Sequence, residues 1–348
     1  MRPETSSDVL RREESRDRLR DPVTNRARPT FSVFVPYFRG ADVVYRAVES
    51  VVTQTLAPDE IVICDDGSPD DLEAALGSLL PQVRIVRKEN GGVGSAMRTA
   101  TEAAHGEFVV QLDQDDVFEP GRLEAIAAVA EIRPDVDVIA TDALIEYEGQ
   151  PFMTFGEEIP FQAEGQRLAI LSNCFFAWPA IRRARLLAVG GYDESFTHIA
   201  DWECHMRLIL DGAVTAYIDE PLYRWRLTPG SLLSDGVANE QELMRALDKA
   251  LASGKLNSAE RAAATATVAA RYRDLIRLDA RDAVRSGNAA ARRLSLRLAL
   301  GRGFSLPTRA KAAVTVVSPA LARRFLDRRA ERNPAAEALA SRLMRRPA

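Results

Sequence analysis

Three carboxylates fall within four residues in the run Leu112-Asp113-Gln114-Asp115-Asp116. Like charges held that close raise one another's pKa unless a cation lies among them. A hard divalent ion with oxygen ligands relieves the repulsion, and phosphate oxygens complete its coordination. The run therefore points to a divalent metal, such as Mn²⁺ or Mg²⁺, working with a diphosphate, against the plainer reading of a solvated acidic turn. A second element, Asp65-Asp66-Gly67-Ser68, offers carboxylates to an N–H edge or a ribose hydroxyl, and Gly67 permits a sharp turn. Alone it is equally an Asx turn leading into a helix. Asn90-Gly91-Gly92-Val93-Gly94 is a glycine-rich loop with Arg98 one turn beyond it, within reach of an anion. It lacks the spacing of a dinucleotide fingerprint. Asp201-Trp202 sets a carboxylate beside an indole, which is either a helix N-cap or a general base with its pKa raised in a partly apolar pocket.

Short apolar runs position these residues. Residues 31–35, closed by Pro36, read as a β-strand, as do 61–64, 83–86 and 108–112. Between them lie helix patterns: one opened by Asp42 with Val43, Val44, Ala47, Val48 and Val51 on one face, then 71–80 and 95–104. This alternation predicts a mostly parallel sheet with helices on both faces. Ligands of such sheets sit beyond the carboxyl ends of the strands, here Pro36-Tyr37-Phe38, Asp65-Asp66 and Asp113 to Asp116. From residue 236 the pattern is helical only. Asn239 with Glu242 and Asn257 with Glu260 read as capping boxes, Gly254 and Gly301 as helix C-caps, and Ser318-Pro319 as a helix start. The expected organisation is a disordered tail over 1–29, an α/β domain over 30–235, and a helical region over 236–348 with a basic tail.

In this order and spacing the elements resemble the inverting glycosyltransferases of family 2, which have the GT-A fold. Phe31 to Phe38 is similar to that family's opening strand, which ends V-P-x-Y-N. Asn90 to Ala100 is similar to its N-x-G-x-x-x-A-R-N loop, and Gly106 to Asp116 to its G-E-Y-I-x-x-L-D-x-D-D segment. Gly190 to Arg207 is similar to G-G-F-D-E followed by E-D-W and an Arg, and Leu222 to Ser231 to the closing Y-R-x-H-P-G-S. The resemblance implies that Pro36 and Phe38 border the base, with Phe38 stacking on it and Asp66 taking its N3 edge. Asp65, Asn90 and Arg98 complete the nucleotide-sugar site. Asp113 would hold the ribose or the metal shell, Asp115 would ligate the metal on the diphosphate, and Asp201 would deprotonate the acceptor hydroxyl. The implied donor is a nucleotide-sugar, UDP-sugar favoured, and the implied acceptor a glycan or lipid-linked saccharide. Phe38 stands for the usual Tyr, Arg39 for Asn, Thr99 for Asn, Ala200 for an acid, and Thr228 for a histidine that helps bind metal or diphosphate.

Two other classes compete. A nucleotidyltransferase shares acidic strand ends but needs a glycine-rich phosphate loop directly after the first strand, which Pro36 to Gly40 does not supply. A catalytically silent binding module of the same fold is disfavoured by the intact Asp66, Asp115 and Asp201. Ser172-Asn173-Cys174 forms no nucleophile elbow, and His105, His198 and His205 have no ligand spacing with one another or with the cysteines. His198 lies three residues before Asp201, and a place near the acceptor is the less favoured reading of it. Residues 146–166, with Phe152, Phe155 and Phe161, are expected to shape that side.

Composition sets the surroundings. At 46% hydrophobic and 28% charged residues the chain reads as globular, and no apolar run approaches the ~20 residues of a bilayer span. Residues 1–29 are arginine-rich without an apolar segment, unlike a secretory signal. Cys64, Cys174 and Cys204 form no CxxC pair, as in a reduced cytoplasmic protein. From Ala291 onward, thirteen Arg and one Lys face only Asp327, Glu331 and Glu337, although the whole chain carries −4. This basic end suits an anionic membrane surface, with the protein peripheral at the inner face of the cell membrane, or the solvated face of a bundle. No aromatic residues interleave the cations in the manner of a nucleic-acid site.

Overall fold

A computed structural model describes residues 28–147, 149–227, 236–301 and 303–332. The chain begins β1 (Phe31–Tyr37), α1 (Val44–Val52), β2 (Glu60–Asp65), α2 (Leu72–Leu76), β3 (Arg84–Arg87), α3 (Val93–Ala103) and β4 (Phe108–Gln111). Next come β5 (Val117–Phe118), α4 (Arg122–Ile132), β6 (Val138–Tyr147), β7 (Gln150–Thr154), α5 (Phe155–Glu158), α6 (Gln166–Ile170), β8 (Ala180–Arg182), α7 (Arg183–Ala188), α8 (Ala200–Leu210) and β9 (Thr215–Leu227). Helices alone follow: α9 (Gly236–Ala252), α10 (Ser258–Arg285), α11 (Ala290–Leu300), α12 (Leu306–Val317) and α13 (Pro319–Arg332).

One sheet runs β3-β2-β1-β4-β8-β6-β9-β5, with β7 beside β6. Its first four strands are parallel, and β1 and β2 are buried on both faces, as their continuous apolar runs require. The second half is mixed: β8 pairs antiparallel with β4 and β6, whereas β6 and β9 run parallel. Because β1 lies between β2 and β4, the carboxyl ends of these three strands open side by side.

Local chemistry shifts several expected boundaries. β1 continues through Pro36 to Tyr37, since its pairing with β4 ends at Phe34 and Pro36 gives up no ladder bond on that side. Asp42 does not cap α1; its N-cap is Val43, without a side-chain bond, and the Val43 and Val44 amides donate to the Gly40 carbonyl. Asp71 does cap α2, accepting from the Ala74 amide at 3.0 Å, but the helix soon tightens into the 3₁₀ turn Gly77–Gln82, which contains Pro81. Asn257 and Glu260 form a reciprocal capping box, and Gly254 takes the left-handed conformation. Gly301 ends α11 with extended backbone instead. Asn239 and Glu242 form no capping box: both lie inside α9, and Glu242 serves another element.

Packing divides the chain later than residue 236. Leu243, Ala246, Leu247 and Ala250 of α9, with Ala264 of α10, belong to the same buried core as the sheet. Two small clusters, around Ala280, Leu298 and Ala312 and around Ala283, Val284 and Ala291, hold the remaining helices to one another. Among the described residues no helix is long and apolar enough to cross a membrane. Residues 1–27, Thr228 with the rest of the closing segment, and 333–348 lie outside the described residues, as do the Arg328 and Arg329 side chains.

Candidate active site

The three strand ends open into one cleft of about 570 Å³, the size of a small-molecule site. Pro36, Phe38, Asp66, Asn90, Asp113, Asp115 and Asp201 all line it, so residues far apart in sequence meet there as expected. Asp65 and Arg98 do not. The Asp65 carboxylate accepts from the Ser68 amide at 2.8 Å and pairs with Arg87, which fixes the turn. Arg98 pairs with Glu102 and donates to the carbonyls of Gly190 and Tyr192. Both make structural contacts and are absent from the lining of this cleft.

Asp66 builds the glycine loop as well as facing the cleft. Its carboxylate accepts from Lys88 Nζ at 2.8 Å and from the Gly91 and Gly92 amides at 3.0 and 2.8 Å, while Asn90 Nδ2 donates to its carbonyl. Gly67 is obligatory beside it: its φ is +70°, and a Cβ would lie 2.9 Å from the Asn90 backbone nitrogen. On β1's side, Gln114 clamps the Phe38 backbone, accepting from its amide at 2.9 Å and donating to its carbonyl at 3.0 Å. The Phe38 ring stays 37% exposed at the rim, with the Arg39 guanidinium 5.1 Å from its centroid.

Each carboxylate of the acidic run has a distinct setting. Asp113 accepts from Gln111 Nε2 and Trp178 Nε1, both at 3.0 Å. Burial, with the negative charges of Asp115 and Asp201, pushes its pKa up to about 6 against those two bonds. Asp116 accepts from Tyr223 Oη at 2.7 Å and from the Arg226 amide at 2.8 Å. Burial first, then Asp115 and Asp113, holds it well above the usual carboxylate range. Both oxygens of Asp113 and of Asp116 thus already accept protein hydrogen bonds. Among the described residues no three His, Cys, Asp or Glu are arranged as an ion cage. A divalent ion here would rest on carboxylates of this run and on oxygens of a bound diphosphate, the donor set that Mg²⁺-type sites use.

Asp201 is the second residue of α8 rather than its N-cap, and its carboxylate accepts from the Trp202 amide at 2.7 Å. Burial raises its pKa, opposed by that bond. The approach to α8 is held from another part of the fold. Glu242 of α9 accepts from the Thr197 and His198 amides at 3.0 and 2.9 Å, from Ile199 N–H at 3.3 Å, and from Thr197 Oγ1 at 2.9 Å. It supplies the capping that Ile199 cannot. Lys249, two turns further along α9, pairs with Asp193 and with the buried Glu203, which also pairs with Arg207. Thr197 and His198 line the cleft beside Asp201.

Several residues of this site were missed by sequence reasoning. Trp178, with left-handed backbone at φ 45°, binds Asp113 and stacks on Tyr223 at 4.5 Å. Beneath them Arg122 is fully buried, donates to the Trp178 carbonyl and Thr141 hydroxyl, and lies 4.8 Å from the Phe118 ring and 5.0 Å from the Tyr223 ring. Burial lowers its pKa to about 9. Arg226 lines the cleft, its guanidinium donating to the Asp115 carbonyl at 3.1 Å. Of the aromatics expected on the acceptor side, Phe155 packs edge-on against Trp178 and Phe161 stacks on Tyr217; neither lines the cleft, nor does Phe152.

Comparison with known proteins agrees with this architecture. Residues 32–187 match the family described as Glycosyl transferase family 2. Chondroitin synthase of Escherichia coli is 32% identical over 187 residues, covering 52% of this chain and 26% of that protein, so the chain spans about a quarter of that relative's length. S. aureus TarS 1–349 in complex with UDP-GlcNAc superposes with a TM-score of 0.59 at 18% identity, covering 82% of this chain and 91% of that one. The mannosyltransferase PcManGT of Pyrobaculum calidifontis, in complex with GDP-Man and Mn²⁺, gives 0.57 at 18% identity, covering 95% and 89%. These last two likenesses establish the fold. Residues 32–187 thus match Glycosyl transferase family 2, on the GT-A fold that the chain shares with these glycosyltransferase structures.

Proposed function

We propose that the chain is an inverting glycosyltransferase that moves a sugar from a nucleotide-diphosphate sugar, UDP-sugar favoured, to a hydroxyl of a glycan or lipid-linked saccharide. One observation carries the reading: Phe38, Asp66, Asp113 and Asp115 share a single cleft with Asp201, and Asp201 is close enough to raise the Asp113 pKa. Phe38 stacks on the base at the rim and Asp66 takes its N3 hydrogen, while Asp113 receives the ribose. Mn²⁺ or Mg²⁺ on Asp115 would offset the charge that builds on the leaving diphosphate.

Asp201 removes the acceptor proton as the acceptor oxygen forms its bond to the anomeric carbon. The bond from that carbon to the diphosphate breaks on the opposite face, and the electron pair leaves with the nucleotide. Configuration inverts because the base and the leaving group lie on opposite sides. Burial of Asp201 suits it to this work, since a raised carboxyl pKa strengthens the base at neutral pH. The same reading places the enzyme at the inner face of the cell membrane, where lipid-linked acceptors are presented.

The test is turnover of a panel of UDP-, GDP- and dTDP-sugars with and without Mn²⁺, with thermal shift as the binding readout. Metal-dependent stabilisation by one nucleotide and release of that nucleotide with an acceptor support the reading. Binding without turnover of any donor–acceptor pair would leave a silent module.

A further inference from the structure

The outward face of α12 is apolar. Leu306, Ala310, Ala313, Val314 and Val317 are exposed and form one apolar stripe at helical spacing, flanked by the exposed Pro307 and Lys311, whereas Ala312 and Thr315 turn inward. Leu306 is 76% exposed and Val317 80%, so both ends of the stripe stand in solvent. Leu300 at the end of α11 is 69% exposed, and Leu321 in the first turn of α13 is 44% exposed. A surface helix ordinarily turns its polar side outward; here that order is reversed.

The charge along this stretch of sequence has one sign. Residues 291–326 contain seven arginines and one lysine and neither aspartate nor glutamate. Arg292, Arg293, Arg297, Lys311, Arg323 and Arg324 are all exposed. An apolar stripe whose flanking charges over residues 291–326 are all cationic has the pattern of a helix lying in a membrane interface.

We propose that α12, with the adjoining ends of α11 and α13, docks this protein onto an anionic lipid bilayer. Leu306, Val314 and Val317 enter the boundary between headgroups and acyl chains, and the surrounding Arg and Lys neutralise acidic headgroups. A twelve-residue helix is about 18 Å long, too short to span the hydrocarbon core, so it lies in the plane of the membrane. A second copy fits this surface poorly, because a two-fold pairing would set cations against cations. The proposal deepens the membrane reading above and depends on it for location alone, since vesicle binding requires no turnover.

Sedimentation of the full chain with vesicles tests it, using equimolar phosphatidylglycerol and phosphatidylcholine against phosphatidylcholine alone, at low and high salt. We expect binding to the anionic vesicles only, weakened by salt. The double variant Leu306→Asp with Val317→Asp, at positions whose exposure spares the fold, should lower binding at least about tenfold. The charge variant Lys311→Glu with Arg323→Glu and Arg324→Glu should do the same, and melting temperatures check that both remain folded. Absence of binding at low salt overturns the proposal. So does undiminished binding by the apolar variant, which would reduce the contact to charge alone. Light scattering that shows a wild-type dimer dissolved by the apolar variant would assign the face to self-association instead.

Discussion

The Glu242 carboxylate accepts the His198 amide at 2.9 Å, three residues before Asp201. With its bonds to Thr197 and Ile199, this contact ties the helical region to the segment that delivers the candidate base. α9 is thus part of the site's framework, consistent with its place in the main core.

Loss of that tie should reach the chemistry. Glu242→Ala should leave nucleotide affinity within about twofold, lower kcat by about an order of magnitude, and cost about 1–3 kcal/mol of stability through unpaired amides. Isothermal titration, steady-state kinetics and thermal melting measure the three. A variant with unchanged kcat at normal donor affinity would make Glu242 a stabiliser only.

Donor binding should be metal-linked through Asp115. Asp115→Asn should lose most Mn²⁺-dependent UDP affinity while the protein stays folded, and chelation of the wild type should have the same effect. Calorimetry with UDP and Mn²⁺ reads this directly. Unchanged affinity in the variant would remove Asp115 from the metal shell.

Arg122 supports the aromatic wall from beneath. Arg122→Ala leaves the Trp178 carbonyl and the Thr141 hydroxyl without their buried donor and opens a cavity beside Phe118 and Tyr223. A loss of about 3–5 kcal/mol is expected, read as a lower denaturation midpoint with unchanged slope. A midpoint near that of the wild type would show that the guanidinium is dispensable.

Catalysis should fail on acidification. A general base works ionised, and burial lifts the Asp201 pKa above the ordinary carboxylate value. At saturating donor and metal, kcat should therefore fall as pH drops through that raised pKa, and recover fully above it. A profile flat down to the ordinary carboxylate range would assign proton removal elsewhere.

The parallel half of the sheet was legible because each strand is a continuous apolar run and each acidic cluster lies directly after one. Orientation at those ends was less so. Asp65 and Asp66 are adjacent at a strand end, where successive side chains point to opposite sides, and only Asp66 faces the cleft. Arg98 follows Met97, which lines the cleft from α3, and a helix turns about 100° per residue, carrying Arg98 off that wall. Trp178, Tyr223 and Glu242 act on residues 44 to 107 positions away, contacts that no local pattern encodes.

The most direct measurement is transfer by Asp201→Asn, with donor affinity and melting temperature determined on the same protein. In the proposed reading the carboxylate serves the acceptor, and the Asn side-chain oxygen can still accept the Trp202 amide, so UDP affinity and melting temperature should stay near wild type. Transfer should fall by about 10²–10⁴, the usual worth of a positioned base. No acidic neighbour at position 200 can substitute, because that residue is Ala200. Transfer at near wild-type rate would contradict Asp201 as the base and with it the proposed chemistry of this cleft.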